Sequence, residues 1–140
     1  MADSFELEIA SPDRLLVRER AKRAQVPGRD GYMGILPDHA AMVSELGIGV
    51  LTYVTPEDHR YALAIKHGFI EVFENHVRVL SDEAEFGGEI DITQAERDLR
   101  HAQNEALNPN VNLDLAYALI SWKHAQARID AARKAAEKSE

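Results

Sequence analysis

The chain has 140 residues, 45% of them hydrophobic, which suits one domain or two small ones with a genuine core. Its net charge of -8 and pI near 5.2 argue against nonspecific binding to nucleic acid or to an anionic membrane surface, because neutralising phosphates needs clustered Lys and Arg. It has no cysteine, so disulfides, thiolate metal sites and thiol nucleophiles are excluded, which fits a reducing cytoplasm.

The N-terminal run MADSFELEIA is acidic and does not read as a signal peptide. No window approaches the roughly 18 consecutive apolar residues of a membrane span, so membrane association is expected only through another protein. Phe5, Leu7 and Ile9 then alternate with Glu6 and Glu8. The same period of two returns at Tyr61, Leu63 and Ile65 and at Val77 and Val79, and predicts short half-buried strands. Turn signals separate them at Ser11-Pro12-Asp13, at residues 27–31, at residues 55–58, at His67-Gly68 and at Glu74-Asn75-His76. Many short strands so spaced suggest an antiparallel β-sandwich or flattened barrel.

Within this region lies residues 31–51, GYMGILPDHAAMVSELGIGVL. Gly31, Gly34, Pro37, Gly47 and Gly49 break any helical repeat while Ile35, Leu36, Met42 and Val43 ask for burial, so the chain must bend repeatedly in a sheet structure. Ile35 and Val43 are expected in the core and Tyr32 at the surface.

Composition changes after about Leu80. Residues 81–89 are acidic and end in Phe86-Gly87-Gly88, a candidate flexible joint that divides a β-sandwich domain, residues 1–87, from a helical domain, residues 88–140. Ile92, Ala95, Leu99, Ala102 and Ala106 step by three and four, and Asp91 with Gln94 makes a capping-box start. Asn108-Pro109-Asn110 stops that helix. A second follows at Leu115, Ala118, Trp122, Ala125, Ile129, Ala132 and Ala136, completing a two-helix antiparallel hairpin. Seven of these twelve positions are alanine, whose methyl contributes about 0.8 kcal/mol on burial against roughly 1.5–3 for a large aliphatic side chain. The hairpin should therefore pack closely yet be held weakly, able to open or dock elsewhere. From Leu113 onward five cations (Lys123, Arg128, Arg133, Lys134, Lys138) face four acids, so this tail carries +1 and the rest of the chain -9.

No catalytic constellation is present. His39, His59, His67 and His76 fall in the strand region and could converge as metal ligands of a cupin-like enzyme, but no His-x-His or His-Glu-x-x-His spacing occurs, and turn positions account for most of them. Ser44 is not in a Gly-x-Ser-x-Gly elbow, and no glycine-rich run ends in Lys-Ser/Thr. Gly31 and Gly34 have the spacing of a Gly-x-x-Gly nucleic-acid loop without its basic surroundings. The acids Asp82, Glu83 and Glu85 read as a solvated linker. A free-standing ligand-binding sandwich is a third reading, with no pocket signature behind it.

Residues 31–51 resemble the signature of the epsilon subunit of F-type ATP synthases, an apolar G-x-x-G-I-x-P-G-H-A-P run followed by an L-x-x-G-x-L close. FELEIASPDRLL, HGFIEVFENHVRVLSDEAE and the terminal helix pair resemble the same family in the same order, over nearly the whole chain. Asp38 stands where the family has glycine and Ala41 where it has proline; an L-residue restricts the backbone at 38, although Asp tolerates the left-handed region better than most.

The resemblance implies a ten-stranded sandwich followed by a helical hairpin, in a non-catalytic subunit of the rotor. Its partners would be the gamma subunit, the c-ring and the catalytic alpha and beta subunits. Its place would be peripheral, at the cytoplasmic face of the inner (plasma) membrane, with neither cofactor nor metal. Tyr32 and Met33 would face the c-ring, and His39 and Met42 would face gamma. In this family the hairpin extends along gamma and blocks ATP hydrolysis, its basic helix meeting an acidic loop; Lys123, Arg128, Arg133, Lys134 and Lys138 are the candidates. The same cations are also what an ordinary solvated helix face carries. Some members bind ATP through an I/L-D-x-x-R-A motif. Here Ile90 and Asp91 match its start but Gln94 takes the arginine position, and an amide replaces neither the charge nor the fork of a guanidinium. With only Arg97 and Arg100 nearby to compensate, nucleotide binding is expected to be weak or absent.

Overall fold

The computed structural model describes residues 2–108 and 114–137. Eight strands come first: β1 (Phe5–Ala10), β2 (Leu15–Ala21), β3 (Arg23–Gly28), β4 (Gly31–Ile35), β5 (Met42–Glu45), β6 (Ile48–Val54), β7 (Arg60–Phe73) and β8 (His76–Phe86). A 3-10 turn at Gly87–Glu89 leads to α1 (Ile92–Leu107) and α2 (Leu115–Ala136). The β-sandwich followed by two helices is the architecture the sequence predicts.

The two long strands explain why eight strands serve where ten are implied. The first half of β7 pairs with β6 and its second half with β5, while β8 follows β7 antiparallel along its length and pairs with β1 in its first half only. One layer is therefore β4-β3-β6 with the start of β7 and the end of β8; the other is β5, the end of β7, the start of β8, β1 and β2. Pairing is antiparallel except between β1 and β8, which run parallel.

The crossing between layers is made at His67 and Gly68, which the sequence reads as a turn and which instead bend a continuous strand. Both have left-handed backbones, with φ of 55° and 114°. Only glycine serves at 68, since a Cβ there would lie 2.0 Å from the Leu80 carbonyl oxygen. Ser81, 2% exposed, pins the bend: its hydroxyl accepts the Lys66 N–H at 3.2 Å and donates to the Glu83 carbonyl at 2.7 Å. The bend also reverses the strand phase. Odd positions point inward at Leu51, Tyr53, Leu63 and Ile65, but even ones do at Leu46, Ile70 and Val72. Val43, expected in the core, is consequently 71% exposed, while its neighbour Met42 packs on the core.

Between the layers Phe5, Leu7, Ile9, Val26, Ile35, Leu51, Tyr53, Leu63, Ile65, Ile70, Val77 and Val79 are each at most 1% exposed. The Ile35 expectation holds. A second, smaller cluster lies on the outer side of β6 and β7, where Val50, Ala62 and Ala64 meet Ile90, Ala95, Ile129, Ala131 and Ala132. Both helices start on aspartate caps, Asp91 accepting from the Gln94 N–H at 3.1 Å and Asp114 from the Tyr117 N–H at 3.2 Å. The stop expected at Asn108-Pro109-Asn110 falls partly outside the described residues, and α1 ends at Leu107 as it requires.

Two readings of this region change. Residues 81–86 are the end of β8, with Ala84 and Phe86 packed on the core, and not a linker. Of the predicted helix faces, Ile92, Leu115 and Ala136 are exposed because they sit at helix ends, beyond the packed middle. Ala127 and Ala131 are buried besides, since α2 touches α1 on one side and β6 and β7 on the other.

Candidate functional site

β4 carries the first candidate pair. It lies opposite β3 with Pro27 facing Tyr32 and Val26 facing Met33, so Met33 leans on the core while Tyr32 turns outward at 55% exposed. Tyr32 is exposed, as expected, but it is not loose. The β3–β6 ladder stops at Gln25 and Thr52, and beyond it Pro27 has no N–H to offer. The Val50 amide is satisfied there by the Tyr32 phenolic oxygen at 3.0 Å. Gly49 makes room for this contact, since a Cβ on it would fall 2.5 Å from that oxygen.

The loop from Ile35 to Met42 accommodates the aspartate at position 38. Asp38 takes the left-handed conformation, φ 66°, and its carboxylate accepts from Asn75 Nδ2 at 2.9 Å and from the Ala2 N–H at 3.2 Å, while Asn75 Oδ1 accepts the Asp38 N–H at 2.6 Å. These bonds hold the Asp38 carboxyl below its usual range. A glycine could make none of the side-chain contacts, so the substitution ties the loop to the β7–β8 turn. His39 is half-buried with Nδ1 2.8 Å from the Ala40 carbonyl oxygen, and Met42 is half-buried at the start of β5.

Next to Met42 lies a surface that sequence reasoning missed. On the outer side of the β5-β7-β8-β1-β2 layer, away from the hairpin, Val43, Phe69, Phe73 and Leu80 are 71%, 53%, 62% and 46% exposed. Phe69 stands opposite both Glu45 and Leu80, and Phe73 opposite His76. Beside this apolar row Glu8, its side chain only 8% exposed, accepts from Arg18 Nε and Nη2 at 2.9 and 2.7 Å and from Arg78 Nε at 3.2 Å, with His76 Nε2 3.0 Å away. Hydrogen bonds from His76, Arg18 and Arg78 hold the Glu8 carboxyl down to about 2. The alternation of Phe69, Glu71 and Phe73 was the available signal; the phase reversal decides that the aromatic side faces out.

The candidate cations of α2 divide. Lys123, Arg133 and Lys134 are exposed, and Lys138 lies outside the described residues. Arg128 is only 14% exposed and is already paired, to Glu85 on β8 and to Asp98 on α1. Of the nucleotide candidates, Ile90 is buried in the cluster beneath the hairpin, Asp91 caps α1, and Arg97 and Arg100 are exposed on it. The four sandwich histidines do not converge: His39 lies between β4 and β5, His59 in the β6–β7 turn, His67 at the bend and His76 beside Glu8. Among the described residues no group of three or more His, Asp or Glu side chains is placed to hold a metal, and no helix is long and apolar enough to cross a membrane.

Residues 4–87 match the family described as ATP synthase, Delta/Epsilon chain, beta-sandwich domain. The ATP synthase epsilon chain of Solibacter usitatus is 48% identical over 134 residues, 96% of this chain and 99% of that one. The ATP synthase epsilon chain of Syntrophomonas wolfei is 38% identical over 135 residues, 96% and 98% of the two chains. The fold is shared with a chain of the Euglena gracilis mitochondrial ATP synthase (OSCP/F1/c-ring) at a TM-score of 0.82 and 21% identity, covering 95% of this chain and 83% of that one. The sandwich match spans more than half of the sequence, and the relatives extend it through the hairpin: the chain belongs to the ATP synthase epsilon-chain family.

Proposed function

We propose that this epsilon subunit of an F-type ATP synthase sits in the central stalk, couples gamma to the c-ring during proton-driven ATP synthesis, and restrains ATP hydrolysis through its C-terminal helices. It is a structural and regulatory part of the rotor and performs no catalysis itself. Gamma, the c-ring and the catalytic alpha and beta subunits are its partners, and it is held peripherally at the cytoplasmic face of the inner membrane by the complex. The sandwich, residues 1–87, is the docking unit and residues 88–140 the regulatory one.

The observation that carries this reading is the two-faced sandwich. One outer face is covered by the hairpin, while the other bears Val43, Phe69, Phe73 and Leu80, exposed apolar side chains set around the Glu71–Arg78 ion pair and left uncovered among the described residues. Such a patch beside a charged cluster has the make-up of a protein interface. It adjoins Met42, so gamma docks on this side, at Met42 and His39; Tyr32 and Met33 on β4 meet the c-ring. Lys123, Arg133, Lys134 and Lys138 supply the positive face of the released second helix to an acidic loop. Gln94 and the buried Ile90 leave the hairpin with weak or no nucleotide affinity.

Phe69→Ser with Phe73→Ser tests the docking face in the reconstituted complex. Loss of co-purification with gamma, the isolated subunit keeping its fold, is the expected result; undiminished assembly refutes it. Removing residues 88–140 tests the regulatory unit: ATP hydrolysis rises if the hairpin restrains it, and unchanged hydrolysis excludes that role.

A further inference from the structure

We infer that Arg128 is a clasp holding the helical hairpin on the sandwich, and that its three-way ion pair with Glu85 and Asp98 sets how readily the hairpin is released. The guanidinium joins three separate pieces of the fold. From α2 it donates through Nε and Nη2 to Glu85 Oε1 and Oε2 on β8, at 2.7 and 3.2 Å, and through Nη1 to Asp98 Oδ2 on α1, at 3.4 Å. Two parallel bonds to one carboxylate form the fork geometry that is stronger and more directional than a point contact. The arginine side chain is 14% exposed and Glu85 37%, so water screens the pair only in part.

The surroundings make this pair count. Beneath α2 the apolar floor is small: α2 brings Ala131, Ala132 and one large side chain, Ile129, against Val50, Ala62, Ala64 and Ile90. So thin a contact leaves the ion pair a large share of the difference between docked and released states. One turn before Arg128, His124 is 18% exposed and 3.8 Å from Glu83, which also pairs with Lys66 at 3.1 Å, so an alternating row of charges lines the same seam.

Arg128 therefore differs from Lys123, Arg133 and Lys134, which are exposed while the hairpin is docked. It becomes free to meet another acid only by leaving Glu85 and Asp98. Release is then a competition for one guanidinium between the chain's own carboxylates and an acidic partner. The clasp is a property of the chain alone; its regulatory consequence rests on the proposed role of the hairpin.

Amide hydrogen exchange on the full-length free subunit tests it. Arg128→Gln is expected to speed exchange of α2 amides about ten- to a hundredfold, leaving the β6 and β7 amides at Leu51 and Leu63 unchanged. Glu85→Gln should reproduce most of the effect from the sandwich side, and Asp98→Asn a smaller part. If the arginine variant fails to fold, these two carry the measurement. In the Glu85→Gln, Arg128→Gln double variant the effect should be no larger than in Arg128→Gln alone, because the bonds that Glu85→Gln breaks are already lost with the guanidinium. Exchange in α2 within twofold of the parent for both single variants, an equal rise in the sandwich amides, or fully additive effects in the double variant each overturn the clasp. No other subunit is present, so failure here leaves the proposed rotor role standing, and an intact clasp with unchanged hydrolysis on removing residues 88–140 refutes the inhibitory role alone.

Discussion

Gly87→Ala places a methyl group where the hairpin meets the sandwich. A Cβ at this position would lie 2.1 Å from the Ala131 carbonyl oxygen and 3.1 Å from the Ala135 Cβ. An ordinary carbon to oxygen contact is about 3.3 Å or more, so α2 must retreat by roughly 1 Å. A gap of that size removes a quarter to a half of the dispersion energy of the atoms lining it. Ile129, Ala131 and Ala132 are those that lose contact with β6 and β7. Their burial is worth about 3–4 kcal/mol together on transfer scales, so the substitution should weaken docking by about 1–2 kcal/mol, within the usual range for overpacking. That is roughly a five- to thirtyfold rise in the population of opened hairpin. Native-state hydrogen exchange of the α2 amides reads the change directly, with the sandwich amides as internal reference. Gly88→Ala is the matched control, since its Cβ would meet nothing within 4 Å. Equal protection in the two variants would mean that the close approach of Gly87 to Ala131 does not govern docking.

Tyr32→Phe leaves the ring in place and removes the acceptor of the Val50 N–H, a part-buried bond, and should cost about 1–2 kcal/mol in thermal or urea unfolding. Glu8, held near 2 in the folded chain against 4.5 ordinarily, contributes stability that is full above 4.5 and lost as the pH falls from there toward 2. Thermal midpoints of the parent and of Glu8→Gln should therefore converge across that window; a gap that stays constant down to pH 2 contradicts the assignment. Burial pushes the His124 pKa below its ordinary 6.5, outweighing the pull of Glu83, so the docked hairpin favours the neutral ring. Docking should be firmest above that value and weaken as the pH drops through it. Protection of α2, corrected for the intrinsic exchange rate, should lose this dependence in His124→Asn.

Local chemistry carried much of the design into the sequence. The period of two before Leu80 and the steps of three and four after Ile92 fixed the class of each half, because side-chain periodicity is a property of the backbone element itself. Asp91 marked the helix start, and the tolerance of aspartate for the left-handed region allowed the turn at residue 38 to survive its missing glycine. The family signature in residues 31–51 was legible for the same reason, as a run of positions each constrained by its own turn or strand.

Tertiary structure decided what periodicity could not express. The bend at His67 and Gly68 reverses which alternate positions face inward, so Val43 went out although its residue type asked for burial. Arg128 looked like one of five equivalent cations until folding set it against Glu85, 43 positions away, and Glu8 became a buried charge through Arg78, 70 positions away. A sequence pattern records how neighbours along the chain are oriented. Which distant charges meet, and which apolar row is left uncovered, depends on strand register and helix docking, which exist only once the layers have closed.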